Sequence, residues 1–217
     1  MFWSDEGFLL HKNNFDENSS IVDVFTCKHG KISGIVYGGS SRKQKKNLQI
    51  GNKIFINYKS KAEGRIGYFT VEIIQPVSAA YFENKKKSIC ILAASSILKI
   101  LLPDSQINSK IYKSFEDLIN SLCFDDWISK YIYWELSLIK ELGFGINLDL
   151  INNDKKFKID EKYFKLPKIL QSKSLNHSNY DIKEALMFNK SLLIENFILP
   201  NRLQVPFSRN ILEKYFN

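Results

Sequence analysis

A chain of 217 residues can hold one large domain or two small ones, and 44% hydrophobic with 25% charged residues is enough apolar content for a globular core. Thirty-one Lys and Arg against 23 Asp and Glu leave a net charge of +8, which points to nucleic acid or another acidic partner. Cys27, Cys90 and Cys123 lie far apart without a C-x-x-C, and His11, His29 and His177 have no ligand spacing, which argues against a disulfide scaffold and a metal centre and for reduced thiols in a cytoplasmic protein.

Residues 1–6 have no basic n-region and no long apolar run, so no signal peptide is expected. Residues 7–11 form a short apolar run. Residues 21–26 are rich in β-branched and aromatic side chains, and the His29-Gly30 turn joins them to residues 31–37 as a hairpin. Gly38-Gly39-Ser40-Ser41 then opens a polar loop carrying Arg42, Lys43, Lys45 and Lys46. After the turn at Gly51-Asn52, residues 53–59 alternate polar with apolar at the strand period, and residues 68–74 make a fifth strand. Five short strands without a helix-length periodic segment among them predict a five-stranded OB barrel, a fold that binds single-stranded nucleic acid.

Within this region residues 24–62 contain no Asp or Glu but nine Lys or Arg: Lys28, Lys31, Arg42, Lys43, Lys45, Lys46, Lys53, Lys59 and Lys61. Cations laid along a sheet suit a polyanion, because each one placed near a phosphate releases condensed counterions. The alternative is a solvated basic face with no ligand. Arg65 extends the set, and Tyr37, Phe55, Tyr58 and Phe69 are the candidates for base stacking, although strand alternation should bury half or more of them.

After Pro76 the pattern turns helical, giving an expected boundary between residues 1–76 and 77–217. A helix over 88–102 is stopped by Pro103; it is broken by Ser95, Ser96 and Lys99 and is too short and polar to span a membrane. Helices follow over 112–123, 126–142, 181–198 and 209–216. In the third of these five, Trp127, Ile128, Tyr131, Ile132, Trp134, Leu136, Leu138, Ile139 and Leu142 share one broad face, and Gly143 supplies the stop. Glu135 falls in the middle of that face and must be paired, with Arg202 or Arg209 as its expected partner.

Signatures of catalysis are missing. Gly38-Gly39-Ser40-Ser41-Arg42-Lys43 lacks the spacing of a triphosphate loop, there is no G-x-S-x-G, and no carboxylate pair or Ser-His-Asp set stands out. A non-enzymatic protein without cofactor or metal is expected.

The order of several motifs resembles the RecO family. Asp5-Glu6-Gly7-Phe8-Leu9-Leu10, Asn18-Ser19-Ser20-Ile21-Val22 and Phe25-Thr26-Cys27-Lys28-His29-Gly30 are similar to its opening. The basic loop from Gly38 with Leu48-Gln49 after it, the stretch from Trp134 to Gly145 including Gly143, and Leu199-Pro200-Asn201-Arg202 resemble later blocks in the same order. The resemblance implies an α+β chain, an OB domain followed by a helical domain, in a bacterial recombination mediator. Such a mediator binds single- and double-stranded DNA, anneals complementary strands, and works with RecR to load RecA onto DNA coated by single-strand-binding protein (SSB). It implies action in the cytoplasm, at the nucleoid during repair. Two features depart from the family: residues 147–170 contain no cysteine where many members carry a zinc-binding insertion, and Ile132 and Tyr133 stand where many have an arginine before the aromatic-Glu pair. Lys130 and Lys140 are then the nearest cations for the acidic SSB tail. Two rival readings are an OB-fold RNA-binding protein and an enzyme using Glu135 as acid or base.

Overall fold

Alternating apolar side chains carry the first third of the chain into a closed sheet. In the computed structural model, which describes residues 1–39, 41–62, 65–145, 156–159, 162–171 and 177–216, five strands form it: β1 (Phe2–Asn14), β2 (Ser19–Thr26), β3 (Gly30–Tyr37), β4 (Lys53–Lys59) and β5 (Gly67–Gln75). Their order is β1-β2-β3-β5-β4, closed by β4 on β1, with β3 and β5 parallel and the other pairs antiparallel. This is the OB barrel expected from the strand pattern.

β1 is far longer than its apolar run. It pairs with β4 through Phe2 to Phe8 and with β2 through Gly7 to Asn14, serving both halves of the barrel. A register shift between Leu9 and His11 bends it, so Leu9 enters the core while Leu10 is also buried. The polar run Ser4-Asp5-Glu6 hides this strand in the sequence, because buried Asp5 accepts from the Lys28 and Glu6 amides at 2.8 and 2.9 Å and pairs with the His29 ring. Leu9, Val22, Val24, Val36, Ile54, Ile56, Phe69 and Val71 fill the interior. Each such side chain contributes about 1.5–3 kcal/mol by leaving water.

The expected open loop after Gly39 is corrected to a short helix, α1 (Arg42–Asn47). Ser41 accepts from the Gln44 amide as its cap, Lys45 and Lys46 sit in the last turn where the dipole favours cations, and Leu48 anchors it in the core. Six residues are too few for a helical period to register in sequence.

The helices are α2 (Val77–Ala80), α3 (Lys85–Leu101), α4 (Ser109–Ser121), α5 (Trp127–Ile139), α6 (Lys168–Gln171), α7 (Asn179–Leu193) and α8 (Phe207–Lys214). The chain divides into compact units Met1–Tyr112 and Lys113–Asn217. The change of texture at Pro76 precedes this division because α3 packs on β1 and belongs with the barrel. Among the described residues no helix is long and apolar enough to cross a membrane. Within residues 147–170, β6 (Lys156–Ile159) and β7 (Lys162–Lys165) pair as an antiparallel ribbon; residues 147–155 and 160–161 lie outside the described residues.

In the second unit α5 buries Trp127, Ile128, Tyr131, Ile132, Trp134, Leu138 and Ile139, with Glu135 among them. Its last turn widens into a π-turn, Lys140–Phe144, in which Gly143 takes φ 98°, a conformation that favours glycine. Glu135 is fully buried. Arg209 of α8, also fully buried, donates to it through Nε at 2.6 Å and Nη2 at 3.0 Å, Nη2 also donates to the Leu186 carbonyl at 2.6 Å, and the Tyr131 hydroxyl donates to the carboxylate at 3.0 Å. Burial works against the Arg209 charge, but the adjoining Glu135 carboxylate prevails and raises its pKa above the ordinary arginine value. Of the two expected partners Arg209 is the one used; Arg202 is exposed and holds φ 53° after the last turn of the preceding π-helix, Ile194–Ile198. A carboxylate with no solvent exposure and every oxygen occupied is a structural group, so the reading of Glu135 as a catalytic acid finds no access route.

Candidate nucleic-acid interface

The acid-free stretch separates, in the fold, into cations that are tied down and cations that are not. Lys31 is largely buried; its ammonium donates to the Lys99 carbonyl at 2.7 Å and meets Asp104 at 3.2 Å, so it fastens β3 to the end of α3. Lys53 is held by Glu6 at 2.9 Å across the β1–β4 pairing. For either to hold a phosphate, the anion would have to displace these partners. Lys28, Lys45, Lys46, Lys59, Lys61 and Arg65 are exposed, and none is held in an ion pair among the described residues. Arg42 and Lys43 occupy the first turn of α1.

These cations bracket an aromatic pair. α1 packs on β5, where Tyr68 lies, and Lys59 of β4 is the cross-strand partner of Tyr68. Tyr37, 64% exposed at the end of β3, stacks on Tyr68 with ring centroids 4.9 Å apart and an interplanar angle of 14°. A hydrogen bond with Tyr68 raises the Tyr37 pKa. A neutral, exposed, stacked ring flanked by lysines is what unpaired bases and their phosphates require.

The other stacking candidates divide by strand parity. Tyr58 and Phe69 point into the barrel and belong to its core, so both are corrected from surface stackers to packing residues; Tyr58 stacks on Trp3 and abuts Phe69. Phe55 faces outward, but its cross-strand neighbours are Glu6 and Glu72, a poor setting for a phosphate.

Lys12 lies outside the acid-free stretch and escapes a sequence reading. Its ammonium donates to the Gly39 carbonyl at 3.1 Å, and burial, then the charge of Lys45, lowers its pKa. Two ammonium groups that oppose each other mark uncompensated positive potential beside α1, which an anion would relieve.

In the second unit, Lys130 pairs with Asp126 at 3.4 Å and lies over the Phe124 ring at 4.3 Å, while Lys140 is exposed in the π-turn. Gly145 leaves room for the Lys140 side chain, which a Cβ there would crowd at 2.8 Å. The Tyr133 hydroxyl donates to the Ile169 carbonyl at 2.7 Å. Among the described residues no group of three His, Cys, Asp or Glu could hold a metal ion.

Residues 1–77 match the family model for the N-terminal part of recombination protein O, and residues 83–180 match the model for its C-terminal part. The DNA repair protein RecO of Ehrlichia chaffeensis is 33% identical over 157 residues, which cover 70% of this chain and 64% of that protein. The protein of the same name from Cereibacter sphaeroides is 31% identical over 146 residues, 67% of this chain and 61% of its own length. That of Caulobacter vibrioides is 30% identical over 149 residues, 68% and 61% of the two chains. The match thus spans less than two thirds of each relative's length. The chain belongs to the RecO family.

Proposed function

We propose that this chain is a recombination mediator. It binds single- and double-stranded DNA, anneals complementary strands, and acts with RecR to load RecA onto SSB-coated DNA, in the cytoplasm and at the nucleoid during repair. The observation that carries this reading is the exposed Tyr37–Tyr68 stack, with Lys59 across the sheet from Tyr68 and exposed Lys45 and Lys46 on α1 packed on the same strand, on an OB barrel of a RecO-family chain.

Annealing needs no bond to be made or broken by the protein. Two strands repel through their phosphates, a polycationic surface screens that repulsion, and base pairing supplies the free energy. No catalytic group, metal or cofactor is called for, and the protein acts as a mediator rather than an enzyme. Arg42, Lys43, Lys45, Lys46 and Lys12 hold phosphates, with Lys28, Lys59, Lys61 and Arg65 along the strand's path, and Tyr37 on Tyr68 stacks a base. The acidic SSB tail is met in the helical unit by Lys140, whose ammonium is exposed, more than by Lys130, which Asp126 already holds.

The test is annealing of complementary fluorescent strands, bare and coated with the cognate SSB, by the wild type and by a variant with Arg42, Lys43, Lys45 and Lys46 replaced by Ala. The wild type should anneal both templates and the folded variant neither. Each phosphate-binding cation removed should also reduce the slope of log Kobs against log salt by about 0.7 for a single strand, so the variant's slope should be shallower by at most about 3. Annealing of bare strands alone would remove SSB recognition from the proposal. Tighter binding to RNA than to DNA of the same sequence would favour an RNA-binding role instead.

A further inference from the structure

Between the start of β1, the β2–β3 turn, the β4–β5 loop and the segment after α3 lies a cavity of about 350 Å³, lined by Trp3, His29, Ile32, Tyr58, Lys28 and Ile107 among others. From this cavity we infer a second nucleic-acid subsite in the barrel mouth, which accepts one unstacked base of single-stranded DNA. The inference rests on the proposal that the chain binds DNA, and adds how the strand is gripped beyond its phosphates.

Four observations converge on a base. The size is within the range of small-ligand pockets, about 300–1,000 Å³, and barrel mouths are a recurrent place for them. The wall is a three-ring ladder: Trp3 lies between His29, with centroids 3.8 Å apart and planes 10° apart, and Tyr58, at 4.7 Å and 23°. The ring at the open end of this ladder, His29, is fixed rather than free to turn, since its Nδ1 donates to Asp5 Oδ2 at 2.9 Å. Asp5 is itself buried and anchored by two backbone amides, so the imidazole keeps Nε2 for a hydrogen bond to a ligand.

The fourth observation is charge. Among the described residues the cavity's lining includes no carboxylate, and Lys28 stands on its rim; exposed Lys61 lies in sequence between lining residues Ser60 and Ala62, and the Tyr58 hydroxyl donates to the Arg65 carbonyl at 3.5 Å. An aromatic wall with cations at the rim suits a nucleotide, ring inward and phosphate outward. Stacking accepts any base because every base has a π-face. The site is therefore a general grip on unpaired strands and excludes a paired base, whose edge is occupied and whose ring is stacked within the duplex.

The test compares an oligothymidylate about fifteen nucleotides long with an abasic strand carrying the same number of phosphates, by fluorescence anisotropy at one salt concentration. Wild type should bind the base-bearing strand about tenfold more tightly. Ile107→Trp, at an exposed loop position, should fill the mouth, reduce the ratio severalfold and leave the salt slope unchanged. A second measurement needs no variant: photocrosslinking a strand with 5-iododeoxyuridine should label Trp3 or His29 in peptide mapping. Equal binding of the two strands by wild type, or discrimination undiminished in the plugged variant with crosslinks confined to Tyr37 and Tyr68, would overturn the inference while leaving the DNA-binding proposal standing. Failure to bind either strand would overturn both.

Discussion

Replacing Glu135 with Gln should cost the second unit about 3–5 kcal/mol, the range for breaking one partner of a buried ion pair. The structure says why the neutral isostere fails. Arg209 sends two donors to the carboxylate and a third interaction to the Leu186 carbonyl, and both charged side chains are wholly buried. Gln offers one acceptor where two are used and turns an amide N–H₂ toward the guanidinium. Glu213 lies 3.6 Å from Arg209 Nη1 and is partly exposed, so it offsets a minor share of the loss. With a urea m-value of about 2 kcal/mol/M, the midpoint should fall by about 1.5–2.5 M. The assay is urea unfolding followed by circular dichroism, with the signal of unit Lys113–Asn217 fitted separately if the units melt apart. The double variant Glu135→Leu with Arg209→Met removes both buried charges together and should cost less than the single variant. A single-variant cost below about 1 kcal/mol, the value of an exposed pair, would refute the reasoning.

Gly34 and Gly67 face each other where parallel β3 and β5 close the barrel, and a Cβ on Gly34 would fall inside van der Waals contact of the Phe69 ring. Gly34→Ala should therefore destabilise the barrel by about 1–3 kcal/mol through overpacking, read as a lower thermal midpoint; an unchanged midpoint would contradict the close approach. His11 has its pKa lowered by burial and then by Lys99, against an opposing pull from Asp23 at 3.5 Å. The folded state then binds this proton less readily than the unfolded state, so its contribution to stability is full above the ordinary pKa of about 6.5 and declines as pH falls below it. Thermal midpoints at about pH 7 and pH 5 should fall further for the wild type than for His11→Gln, and the reverse order would refute the assigned direction.

The barrel and the long face of α5 were legible in the sequence because each rests on a local period. Burial alternates along residues 53–59, and Ile54, Ile56 and Tyr58 are buried where the strand period puts them, with apolar Phe55 on the outer face. The same parity determines that Tyr58 and Phe69 are core and Tyr37 is not, but only once the inward face is known, and aromatic character alone does not reveal it. The buried position of Glu135 followed from the wheel, whereas its partner could not, since Arg209 lies 74 residues away and distance along the chain carries no information on pairing. β1 and α1 were misread for opposite reasons. β1 contains a buried aspartate two of whose three hydrogen bonds come from a turn more than twenty residues later, and α1 is shorter than two turns.

The charge run carries the more general limit. A window without Asp or Glu guarantees no acidic neighbour along the chain, but says nothing of neighbours in space. The acids that neutralise two of its cations lie well outside it, Glu6 before and Asp104 after, and they hold Lys53 and Lys31. Lys12 enters that field from outside the window, because the β1–β2 pairing delivers it to Gly39 beside α1. Most of the cations that remain, those on α1, Lys28 in the β2–β3 turn, and Lys61 and Arg65 after β4, lie where the backbone turns away from the sheet and no strand partner supplies an acid at a fixed register. A polyanion-binding surface on this barrel is therefore a property of its loops more than of its strands. Substitutions at Lys45, Lys46, Lys61 and Arg65 should change affinity without changing stability, whereas those at Lys31 and Lys53 should do the opposite.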